Sequence, residues 1–169
     1  MTVIETERLT LRKLTVEDAE FMLDLLNQPS FIQFIGDRGV RTLDDARKII
    51  LARYIESYER LGFGVYLTLL QERQIPIGIC GLIKRSGLDN VDVGYAFLPQ
   101  YWSQGYASES VSAVLAYARN TLGIGRVLGI TTPDNIGSIR VLEKAGLKFE
   151  RMIKLPNEES ELKLFTSGS

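Results

Sequence analysis

The order strand, helix, strand around Tyr106 constrains this chain more than any other feature. Val111, Val114, Leu115, Ala118 and Leu122 repeat at helical spacing, and Gly123 supplies a C-cap. "VDVGYAFL" precedes this helix and "RVLGITT" (Arg126 to Thr132) follows it, so the unit has the length and order of a parallel crossover. Ahead of it, "FGVYLTLL", "IPIGICGLIK" and "VDVGYAFL" are separated only by "QERQ" and "RSGLDN". Connections that short join antiparallel neighbours. The pattern therefore predicts an α+β fold with a mostly antiparallel sheet, rather than a βαβ series. A single crossover also marks a place: the N-terminus of its helix lies beside the C-terminal end of the preceding strand, where ligands bind.

The rest of the chain supplies the layers. "ERLTLRKL" alternates as a half-buried strand does. Thr15 with Asp18, and Thr42 with Asp45, have the spacing of capping boxes that start two helices. Ala19, Met22, Leu23 and Leu26 form the apolar face of the first. Leu43, Ala46, Ile50, Tyr54 and Leu61 form that of the second, which Gly62 ends. "QPSFIQFIGDRGV" reads as the loop between them. "DNIGSIRVLEKAG" is a late helix capped by Asp134 or Asn135, and "LKFERMIKL" and "ELKLFTS" close the chain as strands. No repeat or linker divides residues 1–169, which predicts a single domain. The expected sheet has roughly six to seven strands with about four flanking helices.

Composition narrows the chemistry. A formal net charge of −1 gives no global field for nucleic acid or an anionic membrane. No apolar run approaches the ~20 residues that span a bilayer, and charges break up the opening "MTVIETERLTLRKL", so a signal peptide is not expected in it. One cysteine, Cys80, excludes an internal disulfide and suits a reducing cytoplasm. Histidine is absent, which removes Ser-His-Asp and Cys-His triads and the usual zinc sites; no metal is expected.

Two stretches carry chemistry. "YWSQGYASES" runs into the crossover helix, whose first N–H groups lack partners and carry roughly half a positive charge. Gly105 lets an anion approach the backbone, with no Lys or Arg in the immediate surroundings. The plainer reading is a turn that binds nothing. "PDNIGSIRVLEKAGLKF" begins near the same sheet end, with Asn135 and Ser138 polar there and Arg140 and Lys144 on a shared face. Here the plainer reading is a cap, a first-turn serine and solvated cations.

Together and in this order, "TERLTLRKLTVEDAE", "VGYAFLPQYWSQGYASESV" and "DNIGSIRVLEKAGLKFE" resemble the GNAT superfamily of acyl-CoA-dependent N-acyltransferases. Within it, the chain is similar to the branch that acetylates N-termini of ribosomal proteins. The resemblance runs from about Glu5 to Arg151. It implies a splayed central strand pair, with acetyl-CoA as co-substrate. The family's pyrophosphate loop, R/Q-x-x-G-x-G/A, falls on Trp102 to Ala107, with Trp in its first position. Main chain of Trp102, Ser103, Gln104, Gly105, Tyr106, Ala107 and Ser108 is then expected to hold the CoA pyrophosphate. Asn135 and Ser138 map to the pantetheine and sulfur side, and Arg140 toward the nucleotide end. The resemblance further implies that the strand before the loop pairs with pantetheine along an edge, with Gly94 as the expected bulge site. N–H groups near Tyr95, Ala96 and Phe97 polarise the thioester carbonyl.

Acyl transfer to an amine needs a bound thioester, a free amine and a proton for the departing thiolate; direct attack in a ternary complex needs no covalent enzyme intermediate. Asp92 and Glu109 are the candidate bases, against a solvent-facing Asp92 and a Glu109 that only complements the helix dipole. The family's late-helix Tyr, L-Y-x-x-x-G-F, is missing: Val141-Leu142 precede Gly146. Ser138 is the nearest hydroxyl for the acid, with Tyr95 and Tyr106 as others. Cys80 lies mid-strand and reads as packing rather than nucleophile. Phe31, Phe34, Tyr95, Tyr101 and Trp102 are candidates for the acceptor pocket. Asp37 beside Arg38 forms no acidic cluster of the kind that announces a polyamine or aminoglycoside, and "NEESEL" reads as a solvated turn. The expected partner is a small amine or a protein N-terminus, with no nucleic acid or membrane, and the chain a monomer or homodimer. The competing readings are an acyl-CoA-binding module with weak turnover, and an unrelated phosphate-binding α+β protein.

Overall fold

The computed structural model describes residues 1–168. Its strands form one sheet in the order β1-β2-β3-β4-β5-β6-β8-β7, and every neighbouring pair is antiparallel except β5 with β6. The meander predicted from short connections is β3 (Val65–Leu70), β4 (Ile75–Ile83) and β5 (Asp92–Phe97). The predicted crossover is β5, α5 (Tyr106–Asn120) and β6 (Leu128–Thr131). β7 (Lys148–Ile153) and β8 (Leu162–Thr166) complete the far edge.

Among the described residues, eight strands form rather than six to seven. The difference lies at the start, where Thr2–Glu5 folds as β1 against β2 (Leu9–Arg12), a pairing half-exposed and too short to show periodicity. The stretch expected to be loop also holds a short helix, α2 (Pro29–Phe34), with Pro29 in its first turn where a missing N–H costs nothing.

Apolar faces cover both sides of the sheet. Val111, Val114 and Ala118 of α5 and Leu142 of α6 (Ile136–Lys144) pack on one side. Met22 and Leu26 of α1 (Ala19–Leu26), with Ala46 of α3 (Leu43–Ile49) and Ile50, pack on the other. Both capping boxes form: Thr15 with Asp18 and Thr42 with Asp45 exchange side-chain and backbone hydrogen bonds. Between α3 and α4 (Glu56–Leu61) the helix widens into a π-helical turn, Ile50–Ile55, of the kind found at functional sites.

β5 and β6 share one register pair, Asp92 with Leu128, closed by the Leu128 N–H donating to the Val91 carbonyl at 2.9 Å. Beyond it the strands diverge. Among the described residues, β5 from Val93 to Phe97 keeps β4 on one side and has no strand on the other. The expected bulge at Gly94 is absent, since the register with β4 runs unbroken from Gly78–Phe97 to Ile83–Asp92. The splay therefore comes from β6 leaving, not from β5 kinking.

Candidate active site

At the open end of β5 the chain turns into α5 through an irregular loop. Ser103 and Gly105 both adopt left-handed backbone, at φ 62° and 85°. A Cβ on Gly105 would sit 3.2 Å from Arg8 Nη2, so glycine serves both conformation and space there. Left-handed residues interspersed in a loop are the backbone pattern that can gather successive N–H groups into an anion-binding concavity. Among the described residues, the N–H groups of Ser103, Gln104, Gly105, Tyr106, Ala107 and Ser108 have no acceptor; the first paired one is Glu109, to the Gly105 carbonyl at 3.0 Å. The indole N–H of Trp102 donates to the Phe97 carbonyl at 2.8 Å and fixes the loop to the strand.

The loop is not free of cations, contrary to its local sequence. Arg8, in the β1–β2 turn, donates from Nη1 to the Gln104 carbonyl at 2.9 Å and lies over the Tyr106 ring, 4.4 Å from its centroid. No local signal pointed to it.

Across the splay, Tyr95 of β5 meets the start of α6. Its hydroxyl lies 2.7 Å from Ser138 Oγ. Asn135 caps the helix, its Oδ1 accepting from the Ser138 N–H at 3.1 Å. Burial pushes the Tyr95 phenol up to about 12, against the opposing hydrogen bond from Ser138. The phenol therefore holds its proton at neutral pH. Arg140 lies exposed on the same helix without an ion pair among the described residues.

The two carboxylates expected as bases are both committed to arginines. Asp92 is 1% exposed and takes one shared N–H from Arg85, at 3.0 and 3.1 Å to its two oxygens. Burial raises its pKa above the usual 3.8, with Arg85 opposing. It does not face solvent, because it sits at the closed end of the splay. Glu109 accepts from the Thr6 hydroxyl at 2.5 Å, the Arg8 N–H at 3.0 Å and Arg8 Nε at 2.7 Å. Burial pushes its carboxyl upward, but those hydrogen bonds outweigh it and hold the group below its usual value. Such a carboxylate is a weak proton acceptor, and it tethers the β1–β2 turn to α5. Cys80 is fully buried, with its thiol pushed up to about 12 by burial, as packing requires.

A cavity of about 480 Å³ opens on the sheet face opposite α5. Gly94, Tyr95 and Ala96 of β5 contribute to its walls, so it meets the splay at Tyr95. Of the aromatic candidates, Phe31 and Tyr95 line it; Phe34, Tyr101 and Trp102 do not. The "NEESEL" turn supplies Glu158, and the π-helical turn supplies Arg53 and Tyr54. Neither Asp92 nor Glu109 is on the wall, but Arg85 is. A separate hollow of about 670 Å³ lies outside the loop, between Arg8, Tyr106 and the β3–β4 turn, and does not reach Tyr95 or Ser138.

The chain is similar to known proteins over almost its whole length. The model of the acetyltransferase (GNAT) domain matches residues 8–148. The uncharacterized N-acetyltransferase YoaA of Bacillus subtilis is 27% identical over 154 residues, 90% of this chain and 86% of that one. The GNAT-family acetyltransferase structure from Bacillus anthracis has a TM-score of 0.79 at 27% identity, covering 98% of this chain and 97% of that one. RimL, a ribosomal alpha-N-protein acetyltransferase solved with coenzyme A, has the same fold at TM-score 0.79 and 18% identity, covering 98% and 97%.

Proposed function

The chain belongs to the acetyltransferase (GNAT) family, and on that premise we propose that it acetylates a small amine or a protein N-terminus by direct attack on acetyl-CoA held in the β5–β6 splay. Acetyl-CoA-dependent N-acetylation is the family's reaction. The finer assignment rests on one observation: the unpaired N–H groups from Ser103 to Ser108, at the end of an unpaired strand edge. A pyrophosphate satisfies such a loop without a side-chain cation in its own sequence. Arg8 adds a positive charge from outside, and Arg140 lies toward the nucleotide end.

The free edge of β5 pairs with the pantetheine as a neighbouring strand would, and N–H groups near Tyr95 to Phe97 receive the thioester oxygen. One such donor contributes ~3 kcal/mol to the transition state. The amine nitrogen enters from the cavity as the free base and bonds to the carbonyl carbon; the carbon–sulfur bond breaks and the sulfur takes a proton. The proton the nitrogen sheds passes to water, which re-protonates the donor pair. Ser138 and Tyr95 are that pair and hold the sulfur's proton, with the Tyr95 phenol resupplying Ser138 across 2.7 Å. Asn135 fixes Ser138 through its cap. Asp92 and Glu109 act through their arginines, as positioning groups. A single free, buried thiol at Cys80 is consistent with a reducing cytoplasm.

Thermal unfolding with acetyl-CoA, against ATP and NAD, tests this directly. At a hundredfold excess over Kd, acetyl-CoA stabilises by ~2.7 kcal/mol, a shift of roughly 5–10 °C. Gly105→Asp abolishes that shift by placing a side chain and a negative charge in the anion site; an undiminished shift would remove the loop from the cofactor site. Ser138→Ala lowers kcat by ~10-fold or more at unchanged acetyl-CoA affinity, and normal turnover would exclude Ser138 as the proton donor.

A further inference from the structure

The acceptor cavity is unevenly charged. Its walls carry Arg38, Arg53, Arg60, Lys84 and Arg85 against Glu56 and Glu158. Several of these cations are already engaged. Arg60 pairs with Glu56 at 2.7 Å, Arg85 with Asp92 at 3.0 Å, and Lys84 donates to the Leu88 and Asp89 carbonyls. Arg38 and Arg53 make no ion pair or side-chain hydrogen bond among the described residues.

Arg38 is the more informative of the two. It is half-buried, and its guanidinium is disfavoured by burial first and then by the nearby charges of Arg53 and Arg85, with Tyr54 and Glu158 acting the other way. A half-buried guanidinium beside like charge, with no carboxylate within ion-pair distance among the described residues, is a fork of donors lacking its acceptor. Nor did chain geometry force this. Asp37, its neighbour, pairs with Arg41 at 2.6 Å and leaves Arg38 to the cavity. Asp92 steadies Arg85 from beneath. The π-helical turn brings Arg53 onto the same wall.

Building on the acetyltransferase reading above, we propose that the acceptor is a small amine that also bears an anionic group, carboxylate or phosphate, bound by Arg38 and Arg53. The amine then points along the cavity toward Tyr95 and the splay, and the anion is held at the opposite wall. Aminocarboxylates and phosphoamines fit this; polyamines and aminoglycosides, cationic throughout, meet repulsion. Planar guanidinium forks take either anion in a bidentate pair.

Matched acceptors test the charge alone. Leucine, methionine and phenylalanine are compared with their carboxamides, and O-phosphoethanolamine with ethanolamine, by thiol release from acetyl-CoA. The carboxamides have less basic amines and a larger free-base fraction, so intrinsic reactivity favours them. Preference for an anionic member by about tenfold or more in kcat/KM, in either arm, supports the proposal and tells carboxylate from phosphate. Arg38→Ala and Arg53→Ala then erase that preference mainly through KM, and Arg38→Lys restores part of it. Equal rates within every pair, or a preference that survives both alanine variants, overturn it. Binding is read separately, from the thermal shift given by the N-acetylated acids and their amides. A shift for the acids without any turnover supports the anion site and removes the transferase reading; turnover blind to charge does the reverse.

Discussion

Asp92 and Glu109 look alike in the sequence, each an acid near the splay, and each ends in an ion pair with an arginine. Their surroundings differ. Asp92 is sealed under the sheet with one shared N–H from Arg85; Glu109 sits at the helix start with a hydroxyl, a backbone N–H and Arg8 Nε around it. Burial wins at the first and hydrogen bonding at the second, so the two carboxyls move in opposite directions. A carboxylate's usefulness as a base depends less on its place in a motif than on how many donors already claim it.

The comparison breaks most visibly when each partner is removed. Asp92→Ala leaves Arg85 a partly buried cation with no counter-charge and costs about 3 kcal/mol, a fall in Tm of roughly 6–12 °C by calorimetry. Glu109→Ala costs ~1 kcal/mol, since Arg8 is 41% exposed and water replaces much of what is lost. Equal losses at the two sites would refute the account of their burial.

The acid limb sharpens the contrast. Glu109 has a lowered folded value, so its contribution is present above the ordinary 4.5 and is lost as pH falls through the folded value. Asp92 has a raised folded value, so its contribution is full below the ordinary 3.8 and is lost as pH rises through the folded value. Urea titrations between about pH 3 and 6 therefore separate them. Glu109→Gln flattens the loss of stability toward acid; Asp92→Asn steepens it. Slopes that move together would show that one carboxyl is wrongly placed.

What the sequence made legible was local or periodic. The meander and the crossover follow from periodic runs and short connections, and the capping boxes depend on residues within a few positions of one another. Tyr95 and Ser138 were each visible within their own motifs, though their contact was not. Arg8 was invisible because its partner Glu109 lies 101 positions away, and no pattern in the β1–β2 turn announces that reach. Arg38 and Arg53 share a wall only because a π-helical turn and the loop after α2 converge there. Short elements escaped for a different reason: β1 and α2 are too brief to complete a period.

The single pairing of Asp92 with Leu128 makes the sheet two panels joined by one stitch, β1 to β5 on one side and β6, β8 and β7 on the other. Backbone amides along the inner margins of both panels have no strand to shield them from hydrogen exchange. A molecule lying in the gap and bonding to both margins would act as the absent strand, slowing exchange on the two panels at once. The enzyme would then be a more continuous sheet during its reaction than before it, with the co-substrate supplying the seam.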